Sequence, residues 1–91
     1  MNLNLKIKIA KRVFAECVDD EMILLDTVTQ NYFGLDGMGS VMWQTIEEKK
    51  VLKDILERLL DEYEVEEMRL QNELFIFIER LIESQLLEIE K

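Results

Sequence analysis

Histidine is absent from the 91 residues, which removes the usual partner of a nucleophilic serine or cysteine and the commonest zinc ligand. The lone cysteine, Cys17, has no second thiol for an internal disulfide or a multi-cysteine metal site. It falls in a predicted strand without a local basic partner, so an inert, half-buried thiol is expected rather than a nucleophile. Proline is missing and glycine occurs only three times, while 48% of the residues are hydrophobic, so the chain is expected to fold despite its 34% charged residues. No apolar run approaches the roughly 20 residues of a membrane span, and no apolar signal-peptide core follows Met1. The expected location is therefore cytoplasmic, without membrane association. Gly-rich phosphate loops are absent, and Asp19 to Glu21 lacks the spacing and glycine of a calcium loop. No cofactor or metal is expected.

The charge that is present is unevenly spread. Lys6, Lys8, Lys11 and Arg12 stand among the first twelve residues with no acid, so the rest of the chain holds 7 of the 11 bases against all 20 acids, a balance of −13. Such a body repels phosphate backbones, and nucleic acid is not expected as a partner. Most of the acids read as solvated helix faces. The adjacent pairs Glu47 with Glu48 and Glu66 with Glu67 point in different directions on a helix, so they too read as solvated rather than as acid/base pairs.

The chain from Gln30 to Ile46 reads as a strand running directly into a helix. A period of two sets Phe33 and Leu35 on one face, toward a core, and Tyr32 and Gly34 on the other. Asp36 is the expected N-cap, and Gly37 and Gly39 suggest close backbone approach in the first helical turn. Val41, Met42, Trp43 and Ile46 supply apolar bulk after them. Upstream, Leu3, Leu5, Ile7 and Ile9 alternate with polar residues, as in a half-buried strand. Arg12 to Val18 and Met22 to Asp26 form a candidate hairpin about the polar turn Asp19 to Glu21. Downstream the period changes: Leu52, Ile55, Leu56, Leu59, Leu60 and Tyr63 mark an amphipathic helix. A third helix is expected from about Glu66 to Leu87, with Leu70, Leu74, Phe77, Ile78 and Leu81 as its core stripe. Met68, Phe75, Ile82 and Leu86 widen the apolar arc on one side, while Ile76 lies among charged residues on the other. Such extra apolar surface suits either a small domain wrapping the helix on two sides or a groove for a partner.

The residues predict one α+β domain over 1–91: a three-stranded antiparallel meander followed by three α-helices, with residues 1–11 an extended segment or an extra strand. In this order the chain from about Val13 to Leu87 resembles the PqqD-like family, winged helix-turn-helix-like domains also called RiPP recognition elements. The resemblance rests on Ile23 to Asp26 (ILLD), Asn31 to Asp36 (NYFGLD), Gly39 with Trp43, Ile55 with Leu59 and Tyr63, and Leu74, Phe77, Leu81 and Leu86. Asp36 stands in place of the usual Asn, Glu73 where an Asp is common, and Gln85 where a Gly often precedes the final apolar pair. The spacing of the strand pair most resembles the free-standing members of lasso-peptide pathways.

What the resemblance implies is a non-catalytic module that captures the leader peptide of a ribosomally made precursor and presents it to a processing enzyme. That partner would be a leader peptidase or cyclase in lasso pathways, and a radical SAM enzyme elsewhere in the family. A winged-helix DNA-binding regulator is the alternative from fold class alone, and the acidic last helix argues against it. A dimerisation module using Leu3 to Ile9 is a third reading. The strand Gln30 to Asp36 is expected at a sheet edge, open to an added peptide strand, and the resemblance sets the last helix beside it. The expected peptide-binding residues are Asn31, Tyr32, Phe33, Gly34 and Leu35 on the strand, with Arg69, Leu70, Glu73, Ile76, Phe77 and Arg80 on the helix. The plain alternative is that Leu70 and Phe77 are core and the arginines pair with acids. The opposite rim, at Met68, Gln71, Phe75 and Ile82, is the other candidate groove.

Overall fold

The computed structural model describes residues 2–90. Three strands, β2 (Val13–Val18), β3 (Glu21–Asp26) and β4 (Tyr32–Leu35), form an antiparallel meander in that order. Three helices follow: α1 (Gly37–Glu48), α2 (Leu52–Glu62) and α3 (Glu67–Glu83). This is the α+β arrangement that the apolar periods predict, with a radius of gyration of 12.7 Å.

The β2–β3 hairpin turns on Asp19 and Asp20 alone, both with positive φ (51° and 67°), the backbone that a two-residue turn requires. Glu21, expected in the turn, is therefore the first residue of β3. The inner face of the meander carries Val13, Met22, Leu24 and Leu35, all buried against the helices. Its outer face carries Phe14 and Tyr32, exposed by 64% and 71%. Cys17 is exposed rather than half-buried, because β2 runs past the edge of the core at its turn end.

Strand and helix meet as expected at Asp36, whose carboxylate accepts the Gly39 N–H at 2.7 Å. Gly39 sits in a crowded place: a Cβ would lie 3.1 Å from Asp36 Oδ1 and 3.3 Å from the Phe77 ring, tighter than ordinary van der Waals contact. Gly37 does not, since a Cβ at that position meets nothing within 4 Å. Ser40 ties the junction to the sheet, taking the Met22 N–H at 2.9 Å and donating to the Leu35 carbonyl.

Two features depart from the expected order. Helix α3 stops at Glu83, and Leu86 and Leu87 leave the helix for a strand, β5 (Leu87–Glu90). The stop is a Schellman motif: Leu86 N–H donates to the Leu81 carbonyl and Gln85 N–H to the Ile82 carbonyl, with Gln85 at φ 63°. That left-handed backbone is the physical reason a glycine suits this position. The N-terminal strand β1 (Lys6–Ile9) pairs antiparallel with β5, Ile7 opposite Ile89, in a second, two-stranded sheet. It does not extend the meander. Beside it, the carbonyls of Leu3 and Leu5 accept the N–H groups of Lys53 and Leu52, satisfying the start of α2, which has no side-chain cap.

One core joins both sheets to the helices through Ile7, Leu24, Trp43, Ile55, Leu59, Leu74, Ile78 and Leu86. Trp43 is 1% exposed, and its indole N–H has no hydrogen-bond partner among the described residues. Phe33 and Phe77, expected in this core, pack against it only half-buried.

Candidate functional site

Among the described residues, strand β4 pairs only with β3, which leaves its other edge open. Which backbone groups it offers follows from the ladder. Asp26 N–H donates to the Asn31 carbonyl, so in antiparallel alternation residues 31, 33 and 35 turn toward β3. The N–H and C=O groups of Tyr32 and Gly34 therefore point away from the sheet, free for another strand.

Between that edge and α3 lies a cleft of about 640 Å³. Phe33, Gly34 and Leu35 form its strand wall, and Glu73, Ile76, Phe77 and Arg80 form its helix wall. These are seven of the expected site residues, brought together because positions 73, 76, 77 and 80 recur on one face of the helix. The other four lie elsewhere. Leu70 is 1% exposed and belongs to the core. Arg69 stays on the surface, 3.4 Å from Glu73 and outside the cleft lining. Asn31 and Tyr32 are exposed beside the cleft without lining it. The alternative rim at Met68, Gln71, Phe75 and Ile82 does not line it either.

Sequence reasoning missed the floor and one end of the cleft. Met38, Gly39 and Met42 of α1 supply the floor, and Glu83 and Ser84 at the end of α3 close one side. A helical spacing of four from Met38 to Met42, directly after the capped strand, was the available signal. Met38 and Phe33 are half-buried and Ile76 is 58% exposed, so the walls present apolar surface still open to water. Methionine side chains adapt to varied occupants.

Four charged residues line the cleft: Asp36, Glu73, Arg80 and Glu83. Asp36 is engaged in capping and Glu73 in its pair with Arg69, whereas Arg80 makes no ion pair among the described residues. The arrangement suits recognition: free backbone donors and acceptors along one rim, and along the other the apolar Ile76 and Phe77 between the charged Glu73 and Arg80.

A part-buried ion pair braces the turn that leads into β4. Arg12 Nε lies 3.0 Å from Asp26 Oδ2, and Arg12 Nη2 also donates to the Gln85 carbonyl, linking the meander to the end of α3. Burial pushes the Asp26 carboxyl up, but hydrogen bonds from Thr29 N–H, the Arg12 guanidinium and Val28 N–H outweigh it and hold the group below its ordinary value. What read as a polar connection from Asp26 to Gln30 is thus an ordered turn that sets the start of β4, with Gln30 at φ 63°.

The family described as Coenzyme PQQ synthesis protein D (PqqD) matches residues 21–87, from the second strand of the meander into the last strand. The chain belongs to the PqqD family. Among solved structures, TbiB1 in complex with the TbiA(beta) leader peptide is similar at a TM-score of 0.84 and 37% identity, over 89% of this chain and 94% of that one. A lasso peptide synthetase B1 complexed with the leader peptide superposes at a TM-score of 0.81 over 91% of this chain and 98% of that one. At 20% identity this second likeness concerns the fold alone. A search of the curated proteins finds no match. Among the described residues, no helix is long and apolar enough to cross a membrane.

Proposed function

We propose that this PqqD-family chain captures the leader peptide of a ribosomally made precursor by adding it as a strand to β4, and presents it to a processing enzyme. The observation that carries this reading is the open edge at Tyr32 and Gly34 lying against an apolar cleft on α3. Backbone pairing supplies affinity for any extended segment, and the side chains of Phe33, Ile76, Phe77 and Arg80 select among them. Its support from relatives is the 37% identical TbiB1, whose structure is a leader-peptide complex. The chain acts in the cytoplasm, as a binding module that leaves the chemistry to its partner. In a lasso-peptide pathway the partners are a leader peptidase and a cyclase. The acidic body favours a partner with a basic docking patch, whose association slows as salt rises.

Calorimetric titration of the TbiA(beta) leader, and of peptides selected from a random display library, tests strand addition directly. Tyr32→Pro removes an N–H that β3 does not use and that an added strand would. Saturable binding that weakens at least tenfold in this variant, at an unchanged melting temperature, is the expected result. Equal binding by the variant and the parent, or no binding of any of these peptides, overturns the proposal.

A further inference from the structure

Gly34 is a glycine that its own fold does not demand. Its φ is not positive, and a Cβ built on it meets nothing within 4 Å, in contrast to the crowded Gly39. A glycine inside a strand weakens that strand, so the empty volume calls for an occupant from outside the free protein.

The surroundings describe that occupant. The backbone of Gly34 borders the inner cleft, but its Cβ direction is toward the outer face of the meander, directly across the ladder from half-buried Ile23. Tyr32, two residues earlier on the same face, is 71% exposed. The Gly34 backbone is thus the floor of a shallow recess between Tyr32 and Ile23. Glu16 faces Ile23 on the other side of β3, two strands from Gly34. Strand geometry fixes what enters the recess. A peptide paired with the free groups of Tyr32 and Gly34 directs alternate side chains to opposite faces, and the residue opposite Gly34 falls on the outer face in either strand direction.

We propose that this outer-face recess is a second specificity site, resting on strand addition at β4, and that it accepts one bulky apolar side chain of the bound peptide, aromatic by preference. The bound segment is then read on both faces of the sheet: inward by the cleft on α3, outward at Gly34. An aromatic ring laid across an edge glycine covers its exposed backbone and buries part of Ile23, whereas a carboxylate there would lose water without gaining a partner.

The experiment selects peptides from a random 20-residue display library against the parent protein and, separately, against Gly34→Thr. Threonine suits an exposed strand and has room here, so the variant is expected to melt at or above the parental temperature; Gly34→Ala is the milder second variant. Parent-selected peptides should share a large apolar residue at the one outward position facing Gly34, and should bind Gly34→Thr at least tenfold more weakly. Replacing that peptide residue with alanine should weaken binding to the parent but barely change binding to Gly34→Thr. Selected peptides with an alternating inward pattern but no outward preference, or peptides bound equally by both proteins, overturn the recess and leave strand addition standing. Should no extended peptide be selected, strand addition fails and the recess with it.

Discussion

Ile76 offers the sharpest separation of recognition from stability. It is 58% exposed on the helix wall of the cleft, so the free protein gains little from it. Burying an isoleucine side chain completely stabilises by about 1.5–3 kcal/mol, and the exposed share leaves roughly 0.9–1.7 kcal/mol to be realised when a peptide covers it. Ile76→Ala removes most of that surface and should weaken peptide binding by about 1 kcal/mol, on the order of fivefold. Ile76→Glu loses the same burial and sets a carboxylate against an apolar ligand, so a loss of an order of magnitude or more, about 1.4 kcal/mol, is expected. In the free protein the new carboxylate is solvated, within reach of Arg80 one turn away, and the melting temperature should stay within the narrow range of surface substitutions. Glu73→Arg removes only the exposed pair with Arg69, yet reverses the charge of the helix wall beside Arg80; a comparable loss of affinity is expected. Titration calorimetry against a library-selected peptide, alongside thermal melts, reads both quantities. Parental affinity in both charged variants would show that the peptide does not lie in this cleft.

Trp43→Ala should cost about 3–5 kcal/mol because the side chain is 1% exposed at the centre of the core, whereas Trp43→Phe should cost much less than that truncation, since it also removes the unpartnered indole N–H; denaturant melts showing similar losses would refute the distinction. Gln85→Gly should stabilise by roughly 0.5–1 kcal/mol, because the residue sits at φ 63° after α3, and an unchanged or lowered unfolding midpoint would contradict the Schellman assignment. The Asp26 carboxyl is held below its ordinary value of 3.8, so its contribution to stability is present above that pH and fades as pH falls through the lower folded value. The stability gap between the parent and Asp26→Asn should therefore be constant from pH 5 to 7 and narrow below about pH 4, which acid-range melts of both proteins would show.

The meander and the first two helices were legible because their apolar periods are unmixed. Leu52, Ile55, Leu56 and Leu59 repeat at helical spacing with charges between them, and all four are buried. The end of α3 was not legible by the same means. Ile82, Leu86 and Leu87 continue a plausible helical spacing, and only the backbone at Gln85 breaks it; glutamine announces no left-handed turn, although its standing where the family often has glycine was the available sign. Once α3 stops there, Leu87 to Glu90 becomes a strand, and its partner β1 is drawn from the meander to the far end of the chain. Pairing between the first and last strands is a long-range choice that local pattern does not encode. The same holds for Asp26, which reads as a polar turn residue until the fold brings Arg12 against it.

The cleft was legible in part for a reason that also explains the misses. Counting three and four residues from Glu73 finds every helix neighbour on both sides of that position, whereas a cleft uses only the side that faces β4. Ile76, Phe77 and Arg80 lie on that side; Leu70 turns into the core and Arg69 toward solvent. The direction was set by Phe77, whose ring approaches the Cβ position of Gly39 to 3.3 Å. That contact brings α3 against the β4–α1 junction, and a side chain at position 39 would crowd it. Gly39 and Gly34 thus have opposite meanings although both border the cleft: the first lets the helix approach the strand and so creates the inner wall, and the second leaves the outer face open where the protein itself has nothing to fill it.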